Sequence, residues 1–178
     1  MAGNPGKIFE AQIRDSAPDY ALVHRLQDPA QSFGGGGGNT RFSRRNPFDY
    51  LMFNPMRGVL FAIEAKSVAG KSISFERTKD DHGEIHAFQA DGLRAWSAYD
   101  RVISGFLIEF RKIETTVFLY IESFDWLIES ISKKSFNFDD IVESGLPYLI
   151  IPQRKLRTRY RYDIDKLLTE AKEIEHNE

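Results

Sequence analysis

Phe48-Asp-Tyr-Leu-Met-Phe53 and Val59-Leu-Phe-Ala-Ile-Glu-Ala-Lys66, separated by Asn54-Pro-Met-Arg-Gly58, form the stretch that decides the fold. Both runs are rich in β-branched and aromatic residues, and the five residues between them are turn formers, so the stretch reads as an antiparallel hairpin. A symmetrical hairpin across that turn pairs 53 with 60, 51 with 62 and 49 with 64. Asp49 and Glu64 then lie opposite each other on one face, with Cβ atoms about 4.5 to 5.5 Å apart. Two carboxylates placed in this way can share a hard divalent cation such as Mg²⁺, whose oxygen ligands sit at about 2.0 to 2.1 Å. The two-residue period of a strand puts Lys66 on the face of Glu64, where its ammonium can reach a water or a phosphate oxygen. One metal, one positioned water and one cation make an apparatus for phosphodiester hydrolysis.

The acid-x-Lys pattern is short and occurs twice, at Glu64-Ala-Lys66 and Glu170-Ala-Lys172. The second falls in an expected terminal helix, where it reads as a solvated charged face. The first ends an apolar strand, where an inward-facing acid needs partners to offset its desolvation. The alternative reading has Glu64 and Lys66 facing water on an open side of the sheet.

Outward from the hairpin, Asn4-Pro5 starts a helix over about 5–16, with Phe9 and Ile13 at i,i+4, and Pro18 ends it. Residues 20–27 read as a short strand. The uninterrupted Gly34 to Gly38 run makes 33–39 a flexible glycine-rich loop. A helix is expected at about 84–99, strands at Val102 to Phe110 and Thr115 to Ile121, a helix at 123–133, a strand at Pro147 to Ile151, and an acidic amphipathic helix at about 163–175. Helices and strands mix without strict alternation. The expected class is therefore α/β, a central mixed β-sheet flanked by helices, in a single domain over 1–178.

Composition narrows the function classes. The chain is 42% hydrophobic with 14 Phe, 7 Tyr and 2 Trp, enough to bury a core, and its lack of Cys excludes disulfides, a thiolate nucleophile and a Cys-based zinc site. No stretch approaches the roughly 18 apolar residues of a membrane span, and Lys7, Glu10, Arg14 and Asp15 interrupt any leader-like apolar region, so a soluble cytoplasmic protein is expected. The formal charge of −2 conceals a segregation: Asp163 to Glu178 carries −4, leaving +2 on the remainder. Two basic clusters interleaved with aromatics suit a phosphate backbone. They are Arg41, Arg44 and Arg45, and Arg154, Lys155, Arg157, Arg159 and Arg161. Each also reads as a solvated strand edge decorated with arginine.

Two competing motifs share this chemistry. Ala65-Lys-Ser-Val-Ala-Gly-Lys-Ser72 is similar to a phosphate-binding loop with Ala for the first glycine, a nucleotide-binding reading that requires a helix opening directly after Lys71-Ser72. His82 and His86 stand at i,i+4, a spacing that on a helix can ligate zinc, although Gly83 opposes helix there.

The ordered set of Glu10 in the first helix, Asp49 in Pro-Phe-Asp-Tyr, Ile63-Glu-Ala-Lys-Ser67, Ser74-Phe75 and Gln89 resembles the RecU family of Holliday-junction resolvases, within the PD-(D/E)xK nuclease superfamily. The resemblance covers most of the chain. It implies a restriction-endonuclease-like fold and a homodimer with two equivalent sites. It also implies a Mg²⁺-dependent endonuclease, with Mn²⁺ as substitute, that cuts branched DNA, four-way junctions first, in recombination and repair. Asp49 and Glu64 then look like metal ligands, joined by the Ala65 carbonyl. Lys66 looks like the residue that orients or activates water, Gln89 like a contact to water or phosphate, and Glu10 like a group near the metal. Hydrolysis of this kind leaves 5′-phosphate and 3′-hydroxyl ends. A structural role for Glu10, as an i,i+4 partner of Arg14, stands beside this. Two departures stand out: Phe88-Gln89 replaces the family's His-Gln, and Phe33 to Pro47 is short where the family carries a protruding stalk. A branched-DNA-binding accessory protein without cutting activity is the alternative function.

Overall fold

The computed structural model describes residues 4–26, 46–78 and 80–174. Its centre is a six-stranded mixed sheet of β1 (Leu22–Arg25), β2 (Tyr50–Asn54), β3 (Val59–Val68), β5 (Val102–Phe110), β6 (Thr115–Tyr120) and β8 (Tyr148–Ile151), in the order β1-β2-β3-β5-β6-β8. The β3–β5 pair is parallel and the others are antiparallel. Helices α1 (Pro5–Ser16), α2 (Ala87–Ser97), α3 (Ile121–Ser130) and α5 (Ile164–Glu170) cover the sheet. Two short ribbons complete it, one pairing β4 (Ser72–Ser74) with β7 (Ser135–Asn137) and the other pairing β9 (Gln153–Lys155) with β10 (Tyr160–Tyr162). A short helix α4 (Phe138–Glu143) follows β7.

The hairpin has the expected register: Phe53 opposes Leu60, Leu51 opposes Ala62 and Tyr50 opposes Ile63. Its turn is set by Asn54, whose Oδ1 accepts the Met56 and Arg57 N–H groups, and by Gly58 at φ +64°, a left-handed conformation that costs glycine least. Alternation along β3 then feeds two cores. Ala62 and Val68 join Phe106, Ile108 and Leu119 beneath Leu93 of α2 and Phe124 and Leu127 of α3. Phe61 and Ile63 join Met52, Leu107 and Phe118 beneath Phe9 and Ile13 of α1 and Leu167 and Leu168 of α5. β5, covered on both faces, is buried along nearly its whole length, as its apolar run dictates.

Three expected elements differ. The helix expected from 84 opens at Ala87, because Phe75 bridges Ile85 and the Glu76 N–H donates to the Ile85 carbonyl, holding that segment extended. The helix expected at 123–133 runs Ile121–Ser130, and the chain is extended again at Ser135–Asn137 to pair with β4. The terminal helix is shorter than 163–175 and ends at Glu170. There Arg57 donates to the Leu168 and Ala171 carbonyls at 2.7 and 2.6 Å, capping the helix from the β2–β3 turn. Lys172 thus lies beyond the helix. The glycine-rich loop at 33–39 and the cluster Arg41, Arg44 and Arg45 fall outside the described residues. Among the described residues no helix is long and apolar enough to cross a membrane.

Candidate active site

The predicted hairpin geometry carries over to the side chains. The Asp49 N–H donates to the Ile63 carbonyl at 3.1 Å, extending the β2–β3 ladder by one residue, and Asp49 Oδ2 accepts the Ala65 N–H at 2.8 Å. This places Asp49 across the hairpin from Glu64, close enough for its charge to act on the Glu64 carboxyl. Glu64 is only 4% exposed, which disposes of the water-facing alternative. Lys66 Nζ lies 3.1 Å from Glu64 Oε1, on the same face, as the strand period requires.

Gln89, from the first turn of α2, ties the group together. Its Oε1 accepts from Lys66 Nζ at 2.9 Å and from the His86 N–H at 3.0 Å, while its Nε2 donates to Glu64 Oε1. One amide orientation satisfies all three contacts. Among the described residues every buried side-chain nitrogen and oxygen has a partner.

Two acids this close and this dry hold protons tightly. Burial, followed by the Asp49 charge, pushes the Glu64 carboxyl up to about 8, against the opposing pull of Lys66. Burial also pushes Asp49 up to about 6, with the Glu10 charge adding to it and the Ala65 N–H, Lys66 and Arg25 opposing. Glu64 thus keeps its proton at neutral pH chiefly because it is buried. Among the described residues no three His, Asp or Glu side chains cluster as a metal cage. The groups that could hold a metal are the two carboxylates, with the Ala65 backbone tied to Asp49 through its N–H. That chemistry fits Mg²⁺, which is commonly held by one or two carboxylates and keeps several waters.

Glu10 stands at the edge of this site. It pairs with Arg25 of β1, whose Nε lies 2.9 Å from Glu10 Oε2, and its carbonyl accepts the Tyr50 hydroxyl at 2.7 Å. The i,i+4 pair with Arg14 does not form, since Arg14 reaches Asp15 at 3.1 Å instead. Lys7, Arg14 and Arg25 surround a cavity of about 190 Å³ beside Glu10 and Tyr50. The spacing of 7, 10, 11 and 14 on one helix face gives this grouping, whereas Arg25 carried no signal until α1 packed beside β1.

Arg154, Lys155, Arg157, Arg159 and Arg161 lie together on the β9–β10 ribbon, which packs on α1 through the edge-to-face contact of Tyr162 with Phe9. That is the face of the sheet away from Gln89, so these cations do not join the carboxylates. Glu109 was missed by sequence reasoning. It is buried on β5 and accepts from Ser67 Oγ at 2.7 Å and Tyr162 Oη at 2.6 Å. An acid within the apolar Val102 to Phe110 run was the available signal.

The competing motifs lose their structural conditions. Ser72–Ser74 is a strand paired with β7, so no helix N-terminus follows Lys71-Ser72 to cradle phosphate. His82 lies outside helix, and His86 caps α2 with Nδ1 2.7 Å from Glu76 Oε1, so the two histidines do not share a helix face.

No family model matches the chain. A curated relative, the SPbeta prophage-derived uncharacterized protein YotM of Bacillus subtilis (strain 168), is 31% identical over 181 residues, covering 95% of this chain and 87% of the relative. The chain belongs to the YotM family. Coverage of 95% of this chain takes in the hairpin, α2 and the basic ribbon, so the carboxylate pair lies within the YotM-like region.

Proposed function

We propose that this protein is a metal-dependent endodeoxyribonuclease of the RecU type, with a restriction-endonuclease-like fold, that cuts branched DNA as a homodimer in recombination and repair. The observation that carries the reading is the juxtaposition of Asp49 and buried Glu64 across the β2–β3 hairpin, with Lys66 3.1 Å from Glu64 on the same face. An acid pair buried without need of a cation would be a liability to the fold, and a Lys66–Glu64–Gln89 triangle closed by contacts among all three side chains indicates a set geometry. A protein that only bound DNA would have no use for it.

Asp49, Glu64 and the Ala65 carbonyl would hold Mg²⁺ or Mn²⁺. Bound there, the metal would neutralise phosphate charge and favour deprotonation of a water. Glu64 would give up its proton on binding it. Lys66, fixed by Gln89 and Glu64, would orient the attacking water or steady a phosphate oxygen. The cations at Lys7, Arg14 and Arg25 would attract the backbone beside Asp49, with Glu10 holding Arg25 in place. The products would carry 5′-phosphate and 3′-hydroxyl ends. Two-fold symmetry of the protein would match the near-symmetry of a four-way junction and pair the nicks.

The test is a panel of four-way, Y-shaped, linear duplex and single-stranded DNA in Mg²⁺ and in EDTA. Cleavage of branched DNA in Mg²⁺ that is lost in Glu64→Ala and Asp49→Ala is the expected result. Cleavage that survives these substitutions, or no cleavage of any substrate, refutes the reading. Junction binding without cleavage in any metal would favour the accessory role.

A further inference from the structure

A cavity of about 500 Å³ separates α1 from the β9–β10 ribbon, on the face of the sheet opposite Gln89. Its apolar wall is made by Ile8, Leu156 and Tyr160. Ile8 is 45% exposed although its neighbour Phe9 is buried, so the helix presents an aliphatic side chain to this cavity rather than to the core. The rim is cationic: Arg111, Lys155, Arg157 and Arg159 all line it. The acid in the lining is Glu109, whose two oxygens are engaged by Ser67 and Tyr162. Beside it Asp15 approaches Arg159 to 3.9 Å and Glu114 accepts the Tyr160 hydroxyl at 2.8 Å, and the four lining cations outnumber these acids.

We infer that this cavity receives an unpaired nucleotide of a branched DNA, its base against Ile8, Leu156 and Tyr160 and its phosphates on the rim. An apolar wall inside a ring of cations matches a ligand with an apolar face flanked by negative charges. Duplex DNA offers its phosphates to such a rim but keeps its bases stacked, and leaves the apolar wall unused. A strand at a branch point satisfies both. Position supports the same occupant. Glu109 is the register partner of Ser67, the residue after Lys66, so the cavity opens at the end of the sheet that carries the carboxylates. Helix α1 meanwhile carries Ile8 to the cavity and Glu10 to the site.

The inference rests on the nuclease reading for its substrate, but its test does not use cleavage. In EDTA, binding is measured to a fluorescent blunt duplex and to the same duplex with a short single-stranded tail. A base stacked on an aromatic ring such as that of Tyr160 is bound with little regard to sequence and gains about tenfold or more in affinity. Ile8→Ser and Leu156→Ser, with melting temperatures checked against the parent, weaken tailed DNA about tenfold, leave blunt duplex unchanged and leave the salt dependence of binding unaltered. Lys155→Ala and Arg157→Ala weaken both ligands and flatten the salt dependence, by a slope of about 0.7 to 0.9 for each phosphate no longer neutralised. Equal losses on both ligands in the serine variants, or none, overturn the inference. Displacement of the tailed DNA by a Glu/Tyr copolymer but not by a single-stranded oligonucleotide also overturns it and assigns the cavity to an acidic protein segment. Selective binding of the tail with no Mg²⁺-dependent cleavage leaves this inference standing and removes the nuclease reading. Absence of all DNA binding removes both.

Discussion

Replacing Glu64 with Gln separates what the acid does for chemistry from what it does to stability. In the folded protein the carboxyl is pushed up to about 8 from an ordinary value of 4.5. A raised carboxyl pKa means that the folded state binds the proton more tightly than the unfolded state. The stabilisation from that proton is therefore complete below pH 4.5 and is lost as pH rises to about 8. The loss runs at up to about 1.4 kcal/mol per pH unit, so the whole window corresponds to a ceiling of about 5 kcal/mol. The Asp49 charge contributes to that shift and Lys66 opposes it, and we expect about 2 to 4 kcal/mol of the ceiling to be realised. Glu64→Gln keeps the acceptor for Gln89 and Lys66, offers Asp49 an N–H donor, and cannot ionise. At about 2 to 4 °C per kcal/mol for a domain of this size, the variant melts roughly 5 to 15 °C above the parent at pH 8 in EDTA and within a few degrees of it near pH 4.5. Circular-dichroism melts at four pH values between 4.5 and 8, with chelator throughout, measure the difference. A constant difference across that range, or no difference at pH 8, refutes the account of the acid pair. The same variant should cut no DNA, since a functional acid pair is kept at the expense of stability.

Three other outcomes follow from the same geometry. At a concentration of about one hundred times its dissociation constant, Mg²⁺ stabilises the parent at pH 8 by about 2.7 kcal/mol, visible as a rise in melting temperature that is absent in Asp49→Ala. Gln89→Ala leaves the carboxylates in place but frees Lys66 and Glu64 from their shared amide; cleavage falls about 10- to 100-fold at saturating Mg²⁺, as a single-turnover assay would show. Gly105→Ala destabilises by about 3 kcal/mol, because a Cβ there would stand 2.3 Å from the Leu119 carbonyl oxygen and 2.9 Å from Phe118 Cζ, and a urea midpoint unchanged from the parent would contradict it.

The pairing of Asp49 with Glu64 was legible in the sequence because it depends on local geometry alone. A turn closed by Asn54 and Gly58 sets the register of the two strands that it joins, and a strand's period of two settles which side chains share a face. The apolar run Val102 to Phe110 announced a strand buried on both faces for a similar reason, since its period and length needed no partner to be read. Elements that owe their ends to distant residues were less legible. Arg57 shortens α5 from across the fold, and Ile85 delays α2 by bridging Phe75, and neither contact has a local signal.

The sequence by itself therefore determined the mixed α/β class, the hairpin and the two carboxylates with their lysine. Only the tertiary structure decided that Glu64 is buried rather than solvated, that Gln89 closes the triangle, that Glu10 answers Arg25 instead of Arg14, and that the basic ribbon stands across α1 from the acids. The division has one physical cause: backbone periodicity and turn geometry act over a few residues, whereas burial, proton affinity and charge pairing depend on which distant elements pack against the strand.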